Sequence, residues 1–229
     1  MIMAIICRTV GLLFIMVPRT GCSAIGRALI SELDGAWLPE SDILSPDGSL
    51  IVGKKHCTPS QIIEHGILSD AEMDSLFKVT CVRNPFDSLV SLYTKRRDFP
   101  TDRLNNPSFW MHRAPEALRE VERCRSHTFA QWIRRKYMVR SLLAALGVRR
   151  RGMFDQFTQG VDFVMRFDNL QEDFDEALRR VGAPKKITIP RVNQTLGRDP
   201  KYRSYYSTGS RKIVERGFRR DLDRYGFKF

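Results

Sequence analysis

Three short stretches of the chain hold residue types that could handle an anion or move a proton. The first is VPRTGCSAIGRAL, residues 17–29. Gly21 and Gly26 have the spacing of a phosphate-binding loop, but Arg27 stands where that loop needs Lys and Ala28 where it needs Ser or Thr. The stretch is therefore a degraded nucleoside triphosphate site, a chance spacing, or a different phosphate cradle centred on Arg19-Thr20-Gly21-Cys22-Ser23. The second is CVRNPFDSLVSLY, in which Arg83 stands at a turn just ahead of Pro85. The third is Lys54-Lys55-His56, which combines two cations with an imidazole able to accept a proton near neutral pH.

Each stretch sits where a strand should give way to a helix. GLLFIMV, 11–17, is a near-continuous apolar run bounded by Pro18 and Gly21, the pattern of a strand covered on both faces. The preceding apolar residues extend the same reading, so the N-terminal run is taken as a buried first strand. From Ser23 to Leu33, residues Ile25, Leu29 and Leu33 fall on one helical face. A strand, a turn and a helix in that order bring helix-start amides to an anion. SLIVGKKH reads as a second strand ending at His56, LFKVTCV (76–82) as a third, and VDFVMRF (161–167) as a fourth. Residues 116–146 read as wholly helical, with Leu142, Leu143 and Leu146 on a core-facing side and a solvated basic side opposite. Pro184–Pro200 reads as a long loop, and the last segment as a helix with Ile213, Val214, Phe218 and Leu222 inward.

Short apolar strands alternating with helices predict an α/β fold, a single domain over 1–229 with a central, mainly parallel sheet flanked by helices. Ligands of such sheets bind beyond the carboxyl ends of the strands, so the turns at 18–23, 54–58 and 83–85 are expected to converge. A net charge of +12 favours anionic partners: polyanions, phosphorylated small molecules or an anionic membrane surface. The five cysteines are scattered, with no C-x-x-C pair and no zinc-type spacing, which argues against a disulfide framework and a structural metal. Arg8 interrupts the apolar N-terminus, which is too short to span a bilayer and lacks a small-residue cleavage site, so a cytoplasmic location is the default expectation.

PRTGCSAIGRAL resembles the 5′-phosphosulfate loop of sulfotransferases that use 3′-phosphoadenosine 5′-phosphosulfate (PAPS). CVRNPFDSLVSLY is similar to their 3′-phosphate motif, with Arg83 followed eight residues later by Ser91. KKHCTPSQI, RFDNLQEDF, IPRVNQT and the C-terminal YYSTGSRKIVERGFRRDLDRYGFKF resemble, in order, further segments of the carbohydrate-type branch. The resemblance implies a P-loop-NTPase-like sulfotransferase fold, PAPS as donor, 3′-phosphoadenosine 5′-phosphate (PAP) as product, and no metal. It places Arg19, Thr20, Gly21, Cys22, Ser23 and Ala24 around the 5′-phosphate and Arg83 with Ser91 on the 3′-phosphate. Asn193 and Arg198 would lie in the loop that closes over the nucleotide. Arg19 occupies the place of a Lys that contacts the leaving phosphate; a guanidinium can stabilise charge there but is a poor proton donor.

His56 is the candidate base, ahead of His65, His112 and His127. Asp168 reads as a helix cap or a partner of Arg166. Lys54, Lys55, Phe109, Trp110 and Arg113 are candidates for holding the acceptor, which the resemblance makes a hydroxyl of a glycan or glycolipid. Contact with a membrane surface stays open, as does the oligomeric state. Two other functions remain in view. A P-loop kinase or NTPase lacks its Lys and its magnesium-holding hydroxyl, and a basic nucleic-acid-binding module lacks a recognisable motif.

Overall fold

The computed structural model describes residues 4–48, 50–52, 57–106, 109–113, 115–148, 151–192, 199 and 201–229. Along the chain run β1 (Ala4–Cys7), β2 (Leu12–Ile15), α1 (Cys22–Glu32), β3 (Ala36–Leu38), β4 (Ile43–Leu44), β5 (Leu50–Val52), α2 (Pro59–Glu64), α3 (Asp70–Ser75) and β6 (Phe77–Val82). Then come α4 (Pro85–Arg97), α5 (Thr101–Leu104), α6 (Pro115–Ser126), α7 (Phe129–Ala145), α8 (Asp155–Thr158), β7 (Phe163–Arg166), α9 (Leu170–Arg180), α10 (Thr208–Gly217) and α11 (Arg219–Tyr225). They fall into two compact units, Met1–Arg83 with Phe154–Gln194, and Asn84–Met153 with Thr195–Phe229.

The first unit carries a five-stranded sheet in the order β3-β1-β2-β6-β7. β2, β6 and β7 are parallel neighbours, and only β1 opposes the common direction, since it is antiparallel to both β2 and β3. The fold is thus α/β with a mainly parallel sheet, as the sequence predicts. Ile5, Leu12, Phe14, Val79, Cys81 and Met165 pack with Ile25 and Leu29 of α1 and Phe174 and Leu178 of α9 in one buried cluster. Leu13, Ile15 and Val82, which alternate with those strand residues, are also buried. That explains the continuous rather than alternating apolar runs. Asp162 ties the starts of β6 and β7 together: its carboxylate accepts from the Lys78 amide at 2.7 Å and meets Lys78 Nζ at 3.1 Å.

Two readings of this unit need correction. The apolar N-terminus is not one strand. A 3-10 turn over Arg8–Val10 and Gly11 at φ +62° fold it into the β1–β2 hairpin, since a left-handed residue reverses the chain at little cost to glycine. Likewise the strand ahead of His56 does not enter the central sheet. β5 pairs antiparallel with β4 in a separate two-stranded sheet, around a Ser45-Pro46-Asp47-Gly48 turn closed by Gly48 N–H to Ser45 O at 2.9 Å.

The second unit is helical. The predicted single helix over 116–146 breaks between α6 and α7, because Thr128 caps α7 in a reciprocal capping box with Gln131. Its buried side carries Phe129, Trp132 and Ile133, while Leu142 and Leu146 are exposed rather than core-facing. The C-terminal helix is likewise two, α10 and α11, separated at Phe218, with Ile213, Val214, Phe218 and Leu222 buried as expected. Among the described residues no helix is long and apolar enough to cross a membrane.

Candidate functional site

The loop between β2 and α1 is held by its own backbone. Thr20 is fully buried and its hydroxyl donates to the Val17 carbonyl at 2.8 Å, closing a turn. Arg19 takes φ +68° and Gly21 φ +78°. Glycine adopts that region freely, but an arginine there is strained by about 1–3 kcal/mol. A Cβ on Gly21 would stand 2.9 Å from Leu170 Cδ2 and 3.2 Å from Phe167 Cε2, so the loop is packed directly beneath the β7–α9 connection.

Gly21 is also the N-cap of α1, and no side chain caps that helix end. Its carbonyl accepts from the amides of Ala24 at 2.9 Å and Ile25 at 3.2 Å, so the helix starts immediately after the turn. Amides ahead of that point project from the helix end together with the positive pole of its dipole. Cys22 and Ala24 are buried and Ser23 is half-buried. Such an end accepts a phosphate or sulfate through main-chain donors.

Arg83 closes the same site from the carboxyl end of β6. Its Nη1 donates to the Arg19 carbonyl at 2.8 Å, and its guanidinium lies 4.0 Å from the Phe167 ring centroid. The residue is only 7% exposed, and burial pulls its pKa down to about 10. The guanidinium is still charged at neutral pH, and a desolvated cation gains more from an anion than a solvated one does. Cys81, on the same strand, is fully buried, and burial holds its thiol well above the usual range.

In the helical unit, Asn84 caps α4, its Oδ1 accepting from the Phe86 amide at 3.1 Å, with Pro85 in the first turn. Asn84 Nδ2 donates to the Lys228 carbonyl at 2.7 Å, and Phe86 packs edge-on against Tyr206 and Phe229. The chain's last residues therefore brace the start of α4. Ser91 lies on α4 and is 1% exposed.

Among the other sequence candidates, Phe109 packs against Phe99 at 5.5 Å beside the Phe99–Met111–Val121 cluster. Trp110 and Arg113 belong by their backbone to the 3-10 helix Trp110–Arg113, and their side chains lie outside the described residues. So do Lys54, Lys55, His56, Asn193 and Arg198. His65 is exposed at the end of α2, His112 Nε2 bonds the Leu104 carbonyl at 2.8 Å, and His127 Nδ1 lies 2.8 Å from Ser126 Oγ. Asp168 pairs with Arg166 at 2.8 Å, and that guanidinium holds its carboxyl below the usual range; Asn169, not Asp168, is the N-cap of α9. Among the described residues no group of His, Cys, Asp or Glu is arranged to hold a metal ion.

Comparison with protein families supplies the assignment: the sequence pattern of the sulfotransferase family matches residues 3–228. The chain belongs to the sulfotransferase family. The match runs through both compact units. Membership makes sulfuryl transfer to an acceptor the general activity of this chain. Comparison with curated proteins and with solved structures finds no match.

Phe167 and Leu170 are the site residues that sequence reading missed. Both lie in the RFDNLQEDF stretch, beside Arg166 and Asp168. An aromatic next to a strand end is a signal for a stacked cation only once the opposing Arg is known.

Proposed function

We propose that this sulfotransferase moves the sulfuryl group of PAPS to a hydroxyl on a carbohydrate or glycoconjugate. The observation that carries the donor assignment is Arg83, a buried cation joined to the Arg19 carbonyl at the uncapped start of α1. That pairing gives two adjoining anion-binding elements, one of main-chain amides and one a guanidinium, and PAPS has a phosphate group at each end of its ribose. The 5′-phosphosulfate belongs with Thr20 to Ala24, and the 3′-phosphate with Arg83 and Ser91. Asn193 and Arg198 complete the nucleotide site.

Transfer is in line. The acceptor oxygen bonds to sulfur as the bond from sulfur to the 5′-phosphate oxygen breaks, and the acceptor proton passes to His56. Charge growing on the departing phosphate is stabilised by the Arg19 guanidinium and the loop amides, an interaction stronger in the transition state than before it. Arg19 stays protonated throughout, so the leaving phosphate departs as an anion without taking a proton from it. Lys54 and Lys55, with Phe109, Trp110 and Arg113, are the residues proposed to hold the acceptor. The five cysteines form no disulfide, which suits a reducing, cytoplasmic setting.

The test is transfer from sulfur-labelled PAPS to a panel of glycan, glycolipid and phenol acceptors. Label is expected on the sugars. His56→Ala should lower transfer by about two to four orders of magnitude while nucleotide binding persists. Near-normal transfer by that variant would remove His56 as the base, and label on phenols alone would reject the acceptor class.

A further inference from the structure

The exposed stripe of α7 divides in two. Its first turns present Gln131, Arg134 and Arg135 to solvent. Its last turns and the residue beyond the following turn present Val139, Leu142, Leu146 and Val148, at 63%, 54%, 79% and 47% exposure. Positions 139, 142 and 146 fall on one helical face, so these are neighbours rather than scattered apolar residues. Four large aliphatic side chains left in water at one end of a helix incur a standing hydrophobic cost, and clustered exposure of this kind marks a surface with an occupant.

The surroundings of the patch are cationic. Alongside it, α7 and α10 form a groove of about 470 Å³ whose walls include Arg134, Met138, Leu142, Lys212 and Arg216. Residues 134–148, which include the patch, hold Arg134, Arg135, Lys136 and Arg140 and no Asp or Glu, and of these Lys136 pairs with Glu120 of α6. The acidic residue nearest in sequence to Lys212 and Arg216 is Glu215, which pairs with Arg211 at 3.5 Å.

We propose that this end of α7 seats the protein on an anionic lipid surface, with Val139, Leu142, Leu146 and Val148 entering the boundary of the acyl region. Arg134, Arg135, Lys212 and Arg216 would lie among the headgroups. Shallow insertion of an apolar face fringed by Arg and Lys is the mode by which amphipathic helices bind the bilayer interface. Charge complementarity selects the anionic surface, since each Lys or Arg there strengthens binding about fivefold. A protein partner fits less well. The patch spans about 10 Å of helix at 1.5 Å per residue, has no aromatic anchor, and falls far short of the roughly 20–30 residues a side of a stable interface.

The full-length protein is sedimented with phosphatidylcholine vesicles, with and without phosphatidylglycerol. The wild type is expected to pellet with the anionic vesicles only, and raised salt to weaken that binding. Leu142→Ser with Leu146→Ser should weaken it by about tenfold or more at an unchanged melting temperature, because both side chains are exposed. Leu44→Ser with Ile51→Ser, at exposed apolar positions of the β4–β5 sheet, should leave it unchanged. Equal pelleting of the Leu142/Leu146 variant, or no pelleting of the wild type, overturns the proposal. Self-association of the wild type that the same two substitutions abolish, without vesicle binding, would assign the face to a second copy instead.

Discussion

The Arg83 guanidinium reaches across 64 residues of sequence to hold the carbonyl of Arg19 at 2.8 Å. One side chain thus ties the loop that precedes α1 to the end of β6, and in the proposed function it also supplies the charge that meets the 3′-phosphate. Arg83→Ala should destabilise the protein by about 1.5–3 kcal/mol, the worth of a hydrogen bond from a charged group, and also abolish measurable PAP binding. Thermal unfolding with and without PAP checks both; unchanged stability would mean the loop holds its shape alone.

Arg19 and Gly21 share the left-handed region but differ in what they tolerate. Arg19→Gly should match or exceed the wild type in stability, by up to about 1 kcal/mol, because strain is relieved. Its transfer rate should fall by about two to three orders of magnitude, because the proposed mechanism uses that guanidinium to stabilise the growing charge. Gly21→Ala should do the reverse to stability, lowering it by about 1–2 kcal/mol. Melting curves paired with transfer rates for the two variants separate backbone from side-chain roles; a destabilised Arg19→Gly would refute the assignment of strain.

Glu120 is a buried acceptor in the helical unit, bonded to Trp132 Nε1 at 3.0 Å and paired with Lys136 and with Arg123 at 3.3 Å. Burial pushes its carboxyl up, but Lys136, Trp132 and Arg123 together outweigh that, and the group sits below the ordinary glutamate value of 4.5. A carboxyl depressed by folding adds stability that is fully present above pH 4.5 and is lost as pH falls toward its folded value. Glu120→Gln should therefore cost about 1–3 kcal/mol at pH 7 and progressively less below pH 4.5. Denaturant titrations at pH 7 and pH 3.5 test it, and an equal cost at both would contradict the assignment.

The cysteines give a measure of the core. Burial raises Cys7 to about 11, Cys57 and Cys124 to about 12, and Cys81 well above its usual value. The thiolate is the reactive form, so these four should resist a disulfide reagent at pH 8 in the native protein and react at once in denaturant. Rapid native labelling at Cys81 would show that β6 is not the interior strand described.

Which parts of this molecule could be read beforehand follows from how local their causes are. β6 and β7 are short runs rich in Phe and Val, the first ending just ahead of Arg83 and the second at Arg166, and that local composition marks them as strands. The hairpin at Gly11 and the turn at Pro46-Asp47-Gly48 rest on ordinary turn residues, but a long apolar run has the same form as one strand or two, and a strand ahead of His56 does not show which sheet it joins. The Thr128–Gln131 capping box was equally legible and marks the α6–α7 break. Leu142 and Leu146 could not be sorted from sequence, because periodicity has the same form for a stripe that meets the core and one that meets something else. The Arg83–Arg19 bond and the stacking of Arg83 on Phe167 depend on three segments far apart in the chain, and no local pattern announces them.

The donor is the central claim, and calorimetric titration of the wild type tests it most directly. PAP should bind without any divalent ion, and more tightly than ATP with magnesium. Binding of ATP with magnesium in the absence of any binding of PAP would contradict it.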